Sequence, residues 1–189
     1  MFSWNLPSAL EVGGKSYPIR TDFRPALDIM AAFNDPELPE DARLQVMVEI
    51  LYIDVPPMEY LEEAIKQAIW YLDCGKQPDG KSRPRTMDWE QDAAIIFPAV
   101  NKVAGYETRN PQTYTHWWTF VGFFEEIEEG TFSQVLAIRQ KRAKGKKLEK
   151  WEREFLQENR SLVELKEKVT NEEQVRRQQE QAAVDALFK

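Results

Sequence analysis

The chain has 189 residues, a mass of 22.1 kDa and a net charge of −7, with 42% hydrophobic and 12% aromatic residues. This length and apolar content suffice for one core with an appendage, while the acidic balance argues against a general nucleic-acid-binding protein, which carries a basic field. The one cysteine and one histidine exclude a disulfide framework and every two-histidine metal motif. No apolar run could span a membrane, and the start lacks a signal peptide. We therefore expect an intracellular protein with no membrane contact and no cofactor.

The N-terminal residues predict a β-hairpin. Ala9–Val12 and Lys15–Ile19 alternate apolar and polar side chains on either side of Gly13 and Gly14. Two glycines supply the positive φ angles that a two-residue hairpin turn requires. Pro18 lacks an amide donor, so it belongs at a sheet edge, and no further strand is predicted after it.

The remainder predicts helices separated by proline and glycine stops. Apolar residues recur every three or four positions, as they do along one face of a helix; Leu44, Val48, Leu61 and Ile65 belong to such faces. A stretch at residues 75–87, rich in Gly, Pro, Lys and Arg, predicts a mobile, solvated connection. The apolar residues that predict these helices span 23–33, 44–51, 58–72, 89–103, 117–127 and 135–138, and Thr21 or Asp22 is the predicted cap of the first helix.

Two of these helices have capping-box signatures at their start. Asp88 is predicted to cap a helix beginning at Trp89, with Gln91 reaching back to it, and Gly105 is predicted as its left-handed stop. Thr131 and Gln134 have the same spacing at the start of a later helix. Both helices are therefore expected to begin directly after the capping residue.

The most apolar segment follows Thr115. Trp117, Phe120 and their neighbours are hydrophobic on nearly all sides of a helix, which is typical of a central helix. His116 precedes this run, and we expect its ring at a helix start with the polar tip in water. The prediction is a mainly α protein: a helical bundle with an N-terminal β-hairpin and a long charged C-terminal helical arm.

The character of the chain changes after Gly145. Residues 146–189 are rich in Glu, Gln, Lys and Arg, with only a thin apolar stripe that needs a docking surface or a partner helix. We therefore predict a domain at 1–145 and an arm at 146–189, and we assign partner binding or self-association to the arm. The predicted partner-binding residues are Leu148, Trp151, Phe155, Leu162, Leu187 and Phe188.

Charge is unevenly distributed along the chain. Residues 1–75 contain 13 acidic and 5 basic residues, whereas residues 76–189 contain 19 acidic and 20 basic. A basic cluster occupies 139–150, with Glu149 as the one acidic residue in it. It is interpreted as a solvated surface, with an acidic protein partner or nucleic acid as the alternative.

Few residues suggest chemistry. Asp88 and Asp92 lie four apart, a spacing that suits a metal or an acid–base pair, but a helix start favours acidic residues without any function. Cys74 follows an apolar face and is interpreted as a small buried hydrophobic residue rather than a nucleophile. No phosphate-binding loop or nucleophile elbow is present, so the sequence predicts no enzyme.

Two motifs resemble the signature of the long-tailed bacteriophage "gene product fifteen" family. The first is Asp88-Trp89-Glu90-Gln91-Asp92-Ala93, and the second, about two dozen residues later, is His116-Trp117-Trp118-Thr119-Phe120. The glycine hairpin, the segment at residues 17–24 and Ile138-Arg139 in the helix after Thr131 are similar too, so the resemblance covers roughly residues 8–160. Because the signature residues (Asp88, Trp89, Asp92, His116, Trp117 and Trp118) are interpreted as core and caps, they imply a fold rather than an active site.

The resemblance implies a non-catalytic tail-assembly chaperone. Such a protein binds the tape-measure protein, the major tail protein or both during tail assembly in the host cytoplasm, and self-association is a further expectation. One alternative is a structural tail or head–tail adaptor of the virion. A second is a nucleic-acid-associated phage factor that uses the 139–150 cluster, although nucleic acid is the less favoured partner.

Overall fold

The N-terminal hairpin forms as predicted. The computed structural model describes residues 5–77, 80–81, 83–173 and 175–179. Strands β1 (Ala9–Val12) and β2 (Lys15–Pro18) pair antiparallel, with Gly13 and Gly14 in the turn at φ values of +56° and +72°. A Cβ on Gly13 would lie 2.9 Å from the ring of Tyr60, so glycine is required here by conformation and by space.

Three α-helices follow the hairpin: α1 (Phe23–Phe33), α2 (Glu40–Leu51) and α3 (Leu61–Leu72), the last preceded by a 3-10 turn at Met58–Tyr60. The Asp22 side chain caps α1 by accepting from the Arg24 backbone N–H at 3.0 Å. The second helix ends at Leu51, the last of its predicted apolar residues, because extended Tyr52 bridges to Ile19 beside the hairpin.

Helix α4 (Ala93–Ala104) begins four residues later than predicted. Asp88 accepts hydrogen bonds from the backbone N–H groups of Glu90 and Gln91, which forms a separate turn ahead of the helix. The predicted stop at Gly105 is confirmed, with φ at +76°.

The predicted core helix is α5 (Trp117–Glu125). Phe120 is fully buried and stacks on Phe23 of α1, with ring centroids 4.3 Å apart. Because α5 packs on both α1 and α4, it connects helices that precede and follow the 75–87 stretch. The mainly α prediction with an N-terminal hairpin is confirmed.

The C-terminal part contains α6 (Thr131–Ala143), α7 (Lys150–Glu158) and α8 (Arg160–Val163), followed by helical residues at 171–173 and 175–179. The capping box predicted at Thr131 is wrong, because α6 already includes Thr131 and follows Gly130. A capping box occurs instead at α7, where Glu152 accepts from the Glu149 N–H at 2.7 Å.

A second, smaller core lies between α6 and α8. Val163 is fully buried against Val135 and Ile138 of α6. Residues beyond Gly145 therefore pack onto the helices before it. Among the residues that the structure describes, no helix is long and apolar enough to cross a lipid bilayer.

Candidate functional site

The signature carboxylate Asp92 forms a buried ion pair with Arg139 of α6. Its two oxygens accept from the Arg139 guanidinium at 2.6 and 2.9 Å, and one of them also accepts from the Asp88 backbone N–H at 2.9 Å. Both side chains of the pair are about 5% exposed or less. A bidentate pair of this geometry is strong and directional, so Asp92 joins the start of α4 to α6.

Arg139 uses its remaining donors on the C-terminal segment. Its Nε donates to the Val163 carbonyl at 2.6 Å, one terminal nitrogen donates to the Leu162 carbonyl at 2.9 Å, and the other donates to the Thr86 carbonyl at 3.2 Å. This guanidinium therefore holds α4, α6 and α8 together. Sequence analysis placed Arg139 in the basic cluster and missed this role; its position four residues after the apolar Val135 is the signal for an inward-facing side chain.

Asp88 is the second buried carboxylate of this cluster. It pairs with Arg85, and its carboxylate lies 3.3 Å from the Lys168 ammonium group. Burial raises the pKa of the Asp88 carboxyl, but the Gln91 backbone N–H and the charges of Arg85 and Lys168 outweigh burial and lower that pKa below its ordinary value. Asp88 is therefore a stable carboxylate that protein cations surround.

Gln91 connects α4 to the segment after α8. Its side-chain amide donates to the Glu164 carbonyl at 2.8 Å and accepts from the Lys166 N–H at 2.9 Å. The predicted capping box is therefore wrong, because Asp88 caps the turn alone. The Gln91 side-chain amide instead pairs with one backbone carbonyl and one backbone N–H of the C-terminal segment.

These polar residues have the geometry of a structural lock rather than of a metal or acid–base site. The carboxylate oxygens of Asp88 and Asp92 face arginine, lysine and backbone N–H donors. Within the described ranges, no group of three or more His, Cys, Asp or Glu residues could hold a metal ion.

The aromatic signature residues also have structural partners. His116 is buried rather than solvated, so the prediction of a water-exposed tip is wrong: its Nδ1 accepts from the Trp118 N–H at 3.1 Å, and its Nε2 lies 3.0 Å from the Pro7 carbonyl. The indole N–H groups of Trp117 and Trp118 donate to the carbonyls that end α3, and Trp89 packs on Phe124.

The predicted partner-binding residues fall into three groups. Leu148, Phe155 and Leu162 are half-buried against the small core of α6 and α8. Trp151 stands on α7 with 51% of its surface exposed. Leu187 and Phe188 lie outside the described residues.

The basic cluster divides in a similar way. Arg139 is buried, and Lys141 pairs with the buried Glu152 carboxylate at 2.7 Å. The others point to solvent, namely Arg142, Lys144, Lys146, Lys147 and Lys150.

An apolar groove lies between α2 and α3, on the acidic half of the chain. We call it the α2–α3 groove; it has a volume of about 520 Å3. Its floor consists of Leu44 and Val48 from α2 and of Leu61 and Ile65 from α3. These residues were predicted only as apolar helix faces, and no sequence signal indicated that a groove remains open between them.

The two edges of the α2–α3 groove differ in chemistry. Val55, Pro56 and Met58 form one edge, and Met58 is 80% exposed. Asp41, Gln45 and Glu49 form the other edge along α2. The groove is thus an apolar channel with an acidic rim.

Comparison with known proteins gives one match. A family model described as Bacteriophage Gp15 protein matches residues 2–165. No curated protein and no solved structure matches the chain. The matched range includes every residue of both cores and ends beside the segment that Gln91 holds.

Proposed function

Because this chain belongs to the Bacteriophage Gp15 protein family, we propose that it is a non-catalytic tail-assembly chaperone. It binds the tape-measure protein, the major tail protein or both in the host cytoplasm while the tail is assembled. The observation on which this proposal rests is the α2–α3 groove, an open apolar channel on the surface of a folded domain.

The groove suits a client that consists of long helices. A tape-measure protein is expected to be a long helical chain with apolar stripes. Such stripes aggregate with one another when they are left exposed to water. Grooves between helices bind amphipathic helices by burying an apolar face that recurs every three to four residues. Each large side chain that leaves water in this way contributes about 1.5–3 kcal/mol.

The polar residues support a role without catalysis. Asp88, Asp92 and Arg139 satisfy one another or backbone groups, which leaves no free base or nucleophile in that cluster. His116 is held on both ring nitrogens. Removal of any of these side chains is therefore expected to reduce stability rather than to abolish a reaction.

The arm remains a second proposed contact surface, but the structure changes how it must be tested. Truncation after Gly145 would remove Val163 and expose the small core under it, so lost binding would not identify the arm. Trp151→Asp changes an exposed side chain, and deletion of residues 180–189 removes Leu187 and Phe188. The Trp151→Asp change tests the arm without removing a residue of either core, and the deletion tests the two terminal residues.

The direct test is co-expression of the full chain with the neighbouring tape-measure protein. We expect a soluble complex, isolated by affinity purification and sized by light scattering, and we expect the tape-measure protein alone to precipitate. If it is equally soluble without this chain and no complex forms, the chaperone proposal is wrong.

Mass spectrometry of purified virions separates the chaperone from the structural adaptor. A chaperone is released during assembly and is expected to be absent or scarce in particles. Detection at the stoichiometry of a tail or head–tail component would favour the adaptor instead.

A further inference from the structure

We propose that the α2–α3 groove binds one amphipathic helix that presents large apolar side chains to the floor and a row of Lys or Arg side chains to the α2 edge. This inference rests on the proposed function and specifies the partner chemistry of its binding site. The occupant is a basic, amphipathic helix of a tail protein.

The length of the groove fits two to three turns of helix. Its α2 edge runs from Asp41 to Glu49. These two residues are eight positions apart, which corresponds to a rise of about 12 Å along the helix. A partner helix of that span presents three or four apolar side chains to the floor, at i, i+3, i+4 and i+7. A longer flat surface, such as a sheet, would not enter this channel.

The loop edge supplies apolar surface that this chain does not cover itself. Val55 is 52% exposed and Met58 is 80% exposed, and the neighbouring Ile53 is 53% exposed. Exposed apolar side chains that adjoin a groove are typical of an interaction surface. The flexible thioether of Met58 can adapt to partner side chains of different shape.

Charge determines which amphipathic helix fits. Asp41, Gln45 and Glu49 recur every four residues, so they stand in one row above the floor. No lysine or arginine is among the described residues that line the groove. The row contains two carboxylates, Asp41 and Glu49, and Gln45 between them donates to the Glu49 carboxylate at 2.8 Å. These carboxylates are complementary to basic side chains and oppose acidic ones.

Burial and charge disfavour two other occupants of the groove. In a second copy, α6 and α8 are poor candidates, since their apolar faces are already buried against each other. Residues 180–189 of this chain contain two acidic and one basic residue, which gives them the same sign as the rim. A basic helix from another protein avoids both conflicts.

The test uses two labelled helical peptides and the full-length protein. Both peptides are 15-mers with Leu at the four apolar positions; one has Lys and the other Glu along the flank. By fluorescence anisotropy at low salt, we expect the Lys peptide to bind about five- to tenfold more tightly. High salt should reduce this preference because it screens the exposed rim charges.

Three variants locate the binding surface. Met58→Asp should weaken the Lys peptide about tenfold or more, because it places a charge at the apolar edge. Val103→Asp, which changes an exposed apolar residue of α4 away from the groove, is the matched control and should leave affinity unchanged. Glu49→Lys should reduce or reverse the preference for the Lys peptide, a change that unfolding could not produce.

Equal binding of both peptides, or equal effects of Met58→Asp and Val103→Asp, would overturn the inference. So would a dimer of the free protein that Met58→Asp converts to a monomer, because the groove would then bind a second copy. Failure of this inference is distinguishable from failure of the proposed function. If the tape-measure complex still forms with Met58→Asp, the proposed function is supported and the groove is not its binding site. If the groove binds the Lys peptide but no tape-measure complex forms, this inference is supported and the proposed function is wrong.

Discussion

Removal of the Asp92 carboxylate is the sharpest test of the polar cluster. In Asp92→Ala the guanidinium of Arg139 stays buried without its counterion, and the Asp88 backbone N–H loses its acceptor. An enzyme or metal site predicts the opposite outcome, since catalytic carboxylates can often be removed without loss of stability.

The expected magnitude follows from the geometry. Both partners are almost completely buried and two hydrogen bonds join them, and breaking such a pair by removing one partner costs about 3–5 kcal/mol. For a chain of this size, that loss lowers Tm by about 10 °C. The free energy of unfolding of most domains is about 5–15 kcal/mol, so this loss is a large fraction of the total.

Urea unfolding followed by circular dichroism and tryptophan fluorescence measures this loss. Glu62→Ala is the matched control, because it removes a carboxylate from the exposed Glu62–Lys66 pair and should cost about 0.5 kcal/mol or less. The further change Arg139→Met should cost less in the Asp92→Ala background than in the wild type, since the two residues are coupled. A loss below about 1 kcal/mol for Asp92→Ala would refute the proposed lock.

Three further outcomes are expected. Because the pKa of Asp88 is lowered in the folded state, its contribution to the free energy of unfolding should be complete above about pH 5 and disappear as pH falls below about 4; urea titrations of the wild type and Asp88→Asn across this range should converge in acid. Burial raises the pKa of the Cys74 thiol to about 11, so at pH 8 it should react with Ellman's reagent about 100-fold more slowly than free cysteine, and urea should restore the rate. Val163→Ala should lower the free energy of unfolding by about 1–3 kcal/mol, whereas Val175→Ala, at an exposed position, should be nearly neutral; equal effects would show that α8 is not docked.

The predicted arm illustrates why sequence patterns mislead about surfaces. Leu148, Phe155 and Leu162 were assigned to a partner because their stripe is thin and charged residues surround it. In the structure they pack on α6 together with Val163. The pattern identified apolar side chains correctly but contained no information about which neighbour covers them.

The features that the sequence by itself determined are those that depend on contacts within a few residues. The turn at Gly13–Gly14 and the Gly105 stop were predicted because the backbone conformations that turns and helix ends require are local. The central position of α5 followed from its apolar composition on nearly every side.

Only the tertiary structure decided the role of Arg139 and the openness of the α2–α3 groove. The spacing of Arg139 from Val135 indicates an inward-facing side chain, but its partners lie 24 and 47 positions away, so the sequence near it does not identify them. Leu44 and Ile65 likewise resemble ordinary core residues in sequence. Whether such side chains are covered depends on how far apart the helices lie, which the packing of the whole chain sets.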